Sequence, residues 1–312
     1  MRLRALLLLT FAALGTLALL VSSSHANPET LRLVVPGVWF REGDLEQGHS
    51  NNVIIEMKDY LIVVDANYPS GARGVMADVK RLTSKPVKYV FDTHHHGDHL
   101  YGNILWTQAG ATTIAFKGVG EELKRVEPGR WQQTAKQRPD VAELNRDAPE
   151  PPKQDINEEI YVLNDGSRKV EFRHFGWAHT RGDGFVYLPK DQVLCTGDAV
   201  VNGPYNAVMD ANIENWPNVL RAAGKLKVKY VLPGHGLPGN RELLGGQEQF
   251  MTELFKAVKD GVSQGKKVDD LQASIQLSMA VSPWVGDALL KQQIKAAYDE
   301  ITQKKPGGDV AN

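Results

Sequence analysis

The stretch Thr93-His94-His95-His96-Gly97-Asp98-His99 constrains this chain more than any other segment. With Asp92 it puts four histidines and two carboxylates within eight residues. Imidazole nitrogens and carboxylate oxygens are common ligands of transition metals. The apolar run Val87–Phe91 before it reads as a short strand. Alternation along a strand lets His94 and His96 converge while His95 points away, as a wall or solvated residue. Asp98 and His99, past the turn that Gly97 permits, can face a second position nearby. The stretch therefore looks like parts of two metal sites and completes neither. Other segments must supply the missing donors.

A chain of 312 residues allows one large domain or two small ones. With 42% hydrophobic and 23% charged residues it can bury an ordinary globular core. Thirty-six basic and 37 acidic residues leave a formal charge of −1, so no basic field points to nucleic acid. The N-terminus stands apart. Arg2 and Arg4 precede an apolar run from Ala5 to Val21, and Ser24-His25-Ala26 is a small-x-small end. This reads as a secretory signal peptide over residues 1–26, cleaved after Ala26. An uncleaved anchor is the alternative, disfavoured because the run is slightly shorter than a full span. Cleavage leaves 34 basic against 37 acidic residues, a charge of −3. The mature protein is expected to be exported, periplasmic or secreted, with no stable membrane insertion. The single cysteine, Cys195, rules out an internal disulfide and a Cys-rich zinc fold.

Along the chain, Leu31–Val35 and Val38–Phe40 read as strands around Pro36-Gly37. Residues 53–65 read as a hairpin turning at Lys58-Asp59. Asn67–Gly74 reads as a loop with helix-start residues, and Val75–Leu82 has apolar positions at helical spacing and leads to the strand before the histidines. Further strands are expected at Thr112–Phe116, Ile160–Leu163, Lys169–Phe175, Phe185–Leu188, Val193–Thr196 and Lys229–Leu232. Gly118–Asp155 reads as helical pieces plus a surface loop, either placed over the active site or a solvated connection. Trp216–Lys225 and most of the chain after Arg241 are helical in pattern. The order of elements predicts an α/β layered fold.

The remaining donors sit in loops after strands, where such folds gather catalytic groups. His179 lies in Gly176-Trp-Ala-His-Thr-Arg-Gly-Asp183, Asp198 in Cys195-Thr-Gly-Asp198, and His235 in Pro233-Gly-His-Gly236. His-x-His-x-Asp-His at 94–99, His179-Thr180, Thr196-Gly-Asp198 and Gly234-His235, in this order, resemble the metallo-β-lactamase fold superfamily from about Leu31 to Arg241. The resemblance implies a four-layer αβ/βα sandwich over residues 27–245, with residues 246–312 as a C-terminal helical extension. It implies that His94, His96 and His179 bind one metal, that Asp98, His99 and His235 bind a second, and that Asp198 bridges them. Two zinc ions per chain suit these all-nitrogen-and-oxygen donors, with iron or manganese as alternatives. Two such ions about 3.5–4 Å apart form a hydroxide nucleophile near neutral pH, and Asp98 can position it and help move its proton. Asp65 and Asp183 are candidates to orient ligating histidines from behind. His49, on a loop that can overhang such a site, is a candidate substrate contact.

The expected activity is hydrolysis of a small-molecule ester, thioester, lactone or amide. A β-lactamase is the alternative. It is disfavoured because the β-lactamases this chain resembles usually carry cysteine or serine where Asp198 stands. In addition, no Lys or Arg follows Asp198 within ten residues to pair with a β-lactam carboxylate. Arg181 is the nearest basic residue, on another loop. The aspartate resembles instead the glyoxalase II, lactonase and quinoprotein-relay branches. A metal-binding accessory protein without turnover is the third reading. Selectivity is expected to lie in Arg41–Asn52, Gly118–Asp155 and Val200–Asn212.

Overall fold

The computed structural model describes residues 31–306 and Asp309. The expected signal peptide lies outside the described residues. Two sheets form the centre. The first has seven strands in chain order: β1 (Leu31–Val35), β2 (Val38–Arg41), β3 (Asn52–Glu56), β4 (Leu61–Val64), β5 (Val87–Phe91), β6 (Thr112–Phe116) and β7 (Gln154–Ile156). The second has five: β8 (Ile160–Asn164), β9 (Lys169–Arg173), β10 (Phe185–Leu188), β11 (Val193–Cys195) and β12 (Tyr230–Leu232), ordered β12-β11-β10-β9-β8.

The sheets face each other through one apolar layer. Phe40, Ile55 and Phe91 of the first meet Phe172, Val186 and Cys195 of the second. Phe91 and Phe172 stack with ring centroids 4.7 Å apart, and both are fully buried. Removing a ring of this size from a packed core leaves a cavity on top of the lost transfer energy. Phe172→Ala is therefore expected to lower unfolding stability by about 3–5 kcal/mol, read as a drop in the urea midpoint at unchanged slope.

Helices cover the two outer faces, which completes four layers. On the first sheet, α1 (Pro69–Leu82) and α3 (Asn103–Gln108) bury Ala72, Val75, Val79 and Trp106 against Ile54, Leu61 and Val63. On the second, α7 (Trp216–Ala223), α8 (Arg241–Ser263) and α10 (Asp287–Gln303) share one cluster with Phe185 and Leu194. The short α9 (Val268–Ser274) joins it through Leu271. The C-terminal helices thus pack into the core of the second half rather than standing off it.

The α/β layering and the strands before the histidines appear as expected. Two details differ. Helix α1 begins at Pro69, inside the stretch read as a loop, because proline suits a first helical turn that needs no N–H donor. β7 was not expected; its three residues carry no period of their own and pair in parallel with β6.

The arrangement fixes where chemistry can sit. β4, β5 and β6 run parallel, as do β11 and β12. Their C-terminal ends deliver Asp65, the 92–99 segment, the Thr196–Asp198 turn and the Pro233–His235 turn to one edge of the sandwich. Open sheets place their functional loops at that end. The 117–153 insertion folds as α4 (Lys117–Val126), α5 (Gly129–Gln137) and α6 (Pro139–Ala142).

Candidate metal centre

β5 ends at Phe91 and the chain turns through Thr93–His96 into α2 (Gly97–Leu100). This loop is held from below: Asp65 Oδ1 accepts the Thr93 N–H at 2.8 Å while its Oδ2 lies 2.9 Å from His99 Nδ1. Asp65 itself adopts φ +68°, an uncommon backbone region for a non-glycine residue. The partner turns need glycine for close approach. A methyl at Gly234 would fall inside the van der Waals shell of Asp198 Oδ1, and one at Gly197, at φ +50°, would strike Thr93.

Three imidazoles meet at one point. His96 Nδ1 lies 3.2 Å from His94 Nε2 and 3.0 Å from His179 Nε2. The outer nitrogens fix the tautomers. His179 Nδ1 is 3.1 Å from the Ala207 carbonyl, which can only accept. His96 Nε2 is 2.8 Å from Asp210 Oδ2. In the neutral rings, His179 Nε2 and His96 Nδ1 therefore carry lone pairs aimed at each other. Burial lowers the proton affinity of His94 far below the usual imidazole range, and that of His179 to about 3. Three imidazole nitrogens converging in this way form a group that could hold a metal ion.

A second group adjoins the first. His235 Nε2 is 3.0 Å from Asp98 Oδ2 and 3.4 Å from Asp198 Oδ2, and His99 Nε2 is 3.3 Å from Asp198 Oδ1. Burial opposes charge on His235, but the Asp198 and Asp98 carboxylates outweigh it and push its pKa up to about 10. Burial likewise opposes both carboxylates, and His99 and His235 hold them below their usual range. Even so, His99 Nε2 and Asp198 Oδ1 are buried without a well-formed hydrogen bond. Donor atoms of His94, His96 and His179, of Asp98, His99 and His235, and of His94, His99 and Asp198 each lie within 4.8 Å of one another. Each of these groups could hold a metal ion, as could His95, His96 and Asp210.

The remaining expected residues fall in varied places. Asp65 stands behind His99. Asp183 does not reach the His179 ring: it accepts from the N–H groups of Ala178, His179 and Thr180 at 3.2, 2.7 and 2.9 Å and so shapes the loop, while the Ala207 carbonyl orients the ring. His49 is buried 2.8 Å from Ser70 Oγ and is not among the residues lining the cleft over the cluster. His95 is not solvated: it is 0% exposed, with Nε2 3.2 Å from Asp210 Oδ2.

Asp210 escaped the sequence reading. It is 1% exposed and accepts from Arg130 Nη1 and Nη2 at 2.6 and 2.8 Å as well as facing His95 and His96. Burial raises its proton affinity, but Arg130 and the two histidines hold it well below the usual carboxylate range. Its only hint was membership of the 200–212 loop. Asp210 acts on His96 from behind, and such partners are worth roughly 10–100-fold in metal affinity or activity. Asp210→Asn is expected to weaken metal retention by that factor without unfolding the chain, checked by competition with a chromophoric chelator alongside a thermal melt.

The fold and the donor set define a metal-dependent hydrolase, and comparison gives its family. The sequence model of the metallo-beta-lactamase superfamily matches residues 45–235, and the chain belongs to that superfamily. The type 2 metallo-beta-lactamase of Bacillus cereus is 27% identical over 204 residues, covering 62% of this chain and 70% of that protein. A hydroxyacylglutathione hydrolase of Pelagibacter ubique is 33% identical over 86 residues, 27% of this chain and 34% of that one. The metallo-beta-lactamase FIM-1 of Pseudomonas aeruginosa, solved in a mono-zinc form, superposes with a TM-score of 0.58 at 22% identity, over 72% of this chain and 95% of that one.

Proposed function

We propose that this chain is an exported hydrolase that uses two zinc ions to cleave a carboxylic ester, thioester, lactone or amide. His94, His96 and His179 would hold one ion, Asp98, His99 and His235 the other, and Asp198 both. The observation that carries this reading is the convergence of imidazole lone pairs beside two buried carboxylates. When bound, the ions supply Lewis acidity, which acidifies water and polarises an acyl carbonyl. Asp98 lines the cleft with its side chain 21% exposed, so its carboxylate can take a proton from an attacking water and return it to the leaving group. Asp65 fixes His99 through Nδ1, and Asp210 fixes His96 through Nε2, so neither ring can rotate during turnover. Arg130, Gln133 and Thr134 of α5 line the cleft. The N-terminal pattern of residues 1–26 supports export.

A β-lactamase is the second reading, favoured by the Bacillus cereus relative. A panel of ester, lactone, thioester and β-lactam substrates on the zinc-loaded protein separates the two. Saturable hydrolysis confined to nitrocefin and carbapenems would establish the second. Metal bound without turnover of any substrate would refute both.

The charge state of the metal-free cluster makes a further prediction. Against the opposing effect of burial, Asp198 and Asp98 raise the His235 pKa to about 10, and Asp98, Asp198 and Asp65 raise that of His99, which favours their protonated forms. In the metal-free protein this pairing stabilises the fold below about pH 6.5 and is lost on the histidine side as pH rises through about 10. Ligands must be deprotonated to bind metal. Zinc loading is therefore expected to release roughly one to two protons per chain, and apparent affinity is expected to rise with pH across the neutral range. Calorimetry in buffers of different ionisation enthalpy measures this; a buffer-independent heat would refute it.

A further inference from the structure

The cleft over the His/Asp cluster has a volume of about 410 Å³. Its floor is the cluster. One wall is α5, with Arg130, Gln133 and Thr134, and the other is the 200–212 loop, with Tyr205, Ala207 and Met209. Tyr68 borders the opening. Among the described residues Arg130 is the one Lys or Arg lining this cleft. Its two terminal nitrogens are both committed to Asp210, at 2.6 and 2.8 Å. Asp210 is itself buried, so this guanidinium can swing toward an anion only by giving up both bonds to a buried carboxylate. Arg181, the nearest basic residue of the neighbouring loop, is turned elsewhere. It stacks on Trp177 at 3.8 Å, pairs with Glu122 at 2.9 Å and also contacts Asp309. Arg138 lies over the Tyr68 ring at 3.8 Å and bonds Asp140 and the Gln47 carbonyl. Each cation near the mouth is thus neutralised by a partner of its own. The loop wall carries no charged side chain in the lining, and Met209 is 54% exposed.

We infer that the part of the substrate beyond the scissile group is uncharged and apolar, an alkyl or aryl group lying on Tyr205 and Met209, and that this site selects against substrates carrying a second, carboxylate group. The physical reason is that an anion entering this cleft loses water and finds no lysine or arginine that is free of a partner, whereas an apolar group gains by leaving water. The inference rests on the proposed hydrolytic reading and narrows it: both β-lactams and glutathione thioesters carry carboxylates away from the bond that is cleaved.

A matched pair tests it on the zinc-loaded protein: p-nitrophenyl butyrate against mono-p-nitrophenyl succinate. The neutral ester is expected to have the higher kcat/KM by about tenfold or more, corresponding to about 1.4 kcal/mol. Met209→Arg places an unpaired cation on the loop wall and is expected to shift the ratio toward the succinate by a similar factor while leaving zinc content unchanged. Equal or better turnover of the succinate by the unaltered protein would overturn the inference. If neither ester is cleaved, the hydrolytic reading fails for this class, and binding then decides the inference separately. Benzyl mercaptan and 4-(mercaptomethyl)benzoate are titrated into the cobalt-substituted protein and followed by its visible spectrum. Tighter binding of the neutral thiol by about tenfold upholds the inference, and equal or tighter binding of the carboxylate overturns it.

Discussion

Asp198→Ala is expected to abolish hydrolysis, lowering kcat by at least about a thousandfold, beyond the roughly 10–100-fold that outer partners of a metal ligand are worth. Asp198 is the residue that touches both halves of the cluster. Its Oδ1 faces His99 Nε2 at 3.3 Å, and its Oδ2 faces His235 at 3.4 Å and His179 at 3.8 Å. It is carried by the Thr196–Asp198 turn, where Gly197 lies close against Thr93, and Gly234 of the neighbouring Pro233–His235 turn lies close against Asp198. Losing this carboxylate removes the one anion shared by the two positions and leaves His99 and His235 repelling each other across the gap. Zinc content is expected to fall below two per chain, measured by elemental analysis after gel filtration. Full zinc content with full activity would refute the bridging role. Asp198→Asn separates charge from shape: it keeps the volume and is expected to recover folding stability without recovering the rate.

Removing the metal is expected to have the second largest effect. A ligand that binds only the folded state stabilises it by RT ln(1 + [L]/Kd), about 4 kcal/mol at a thousandfold excess over Kd. The cluster joins loops from both sheets, so bound ions would tie the two halves together at their open edge. Chelation with EDTA is expected to abolish activity and lower the melting temperature by several degrees, on the order of 5 °C for a chain of this size. Re-addition of zinc is expected to reverse both. A melting temperature indifferent to chelator in a protein shown to have lost its metal would mean that the edge is held by its hydrogen bonds alone. Asp65 to Thr93, Asn51 to Pro233 and Asp183 to the His179 loop are the bonds that would then have to suffice.

Much of the site was legible without coordinates because its chemistry is written locally. The His-x-His-x-Asp-His spacing flagged 94–99 as a donor cluster, although the chain there is a turn beyond β5 rather than a strand, and His95 and His96 both face Asp210. His179, Asp198 and His235 each stand at a strand end, flagged by glycine. The layered α/β class followed from the same alternation of strand and helix patterns. What stayed hidden was non-local. Nothing near Asp210 distinguishes it from any loop aspartate; its role exists only because α5, eighty residues earlier at Arg130, folds across the cleft to meet it. Asp183 looked like a ring partner by spacing, but the turn brings its carboxylate to backbone N–H groups, and the ring is served by Ala207 instead.

The division follows from how far each interaction reaches along the chain. A donor set spaced two and three residues apart, as at 94–99, depends on local backbone geometry, which neighbouring residues dictate, and the sequence by itself determined that candidate cluster and the fold class that carries it. Partners separated by 80 or more residues meet only after the sheets have packed. Tertiary structure alone decided that His95 is buried against Asp210, that Arg130 is neutralised where a substrate anion would need it, and that the loop wall opposite α5 carries no charged side chain in the lining.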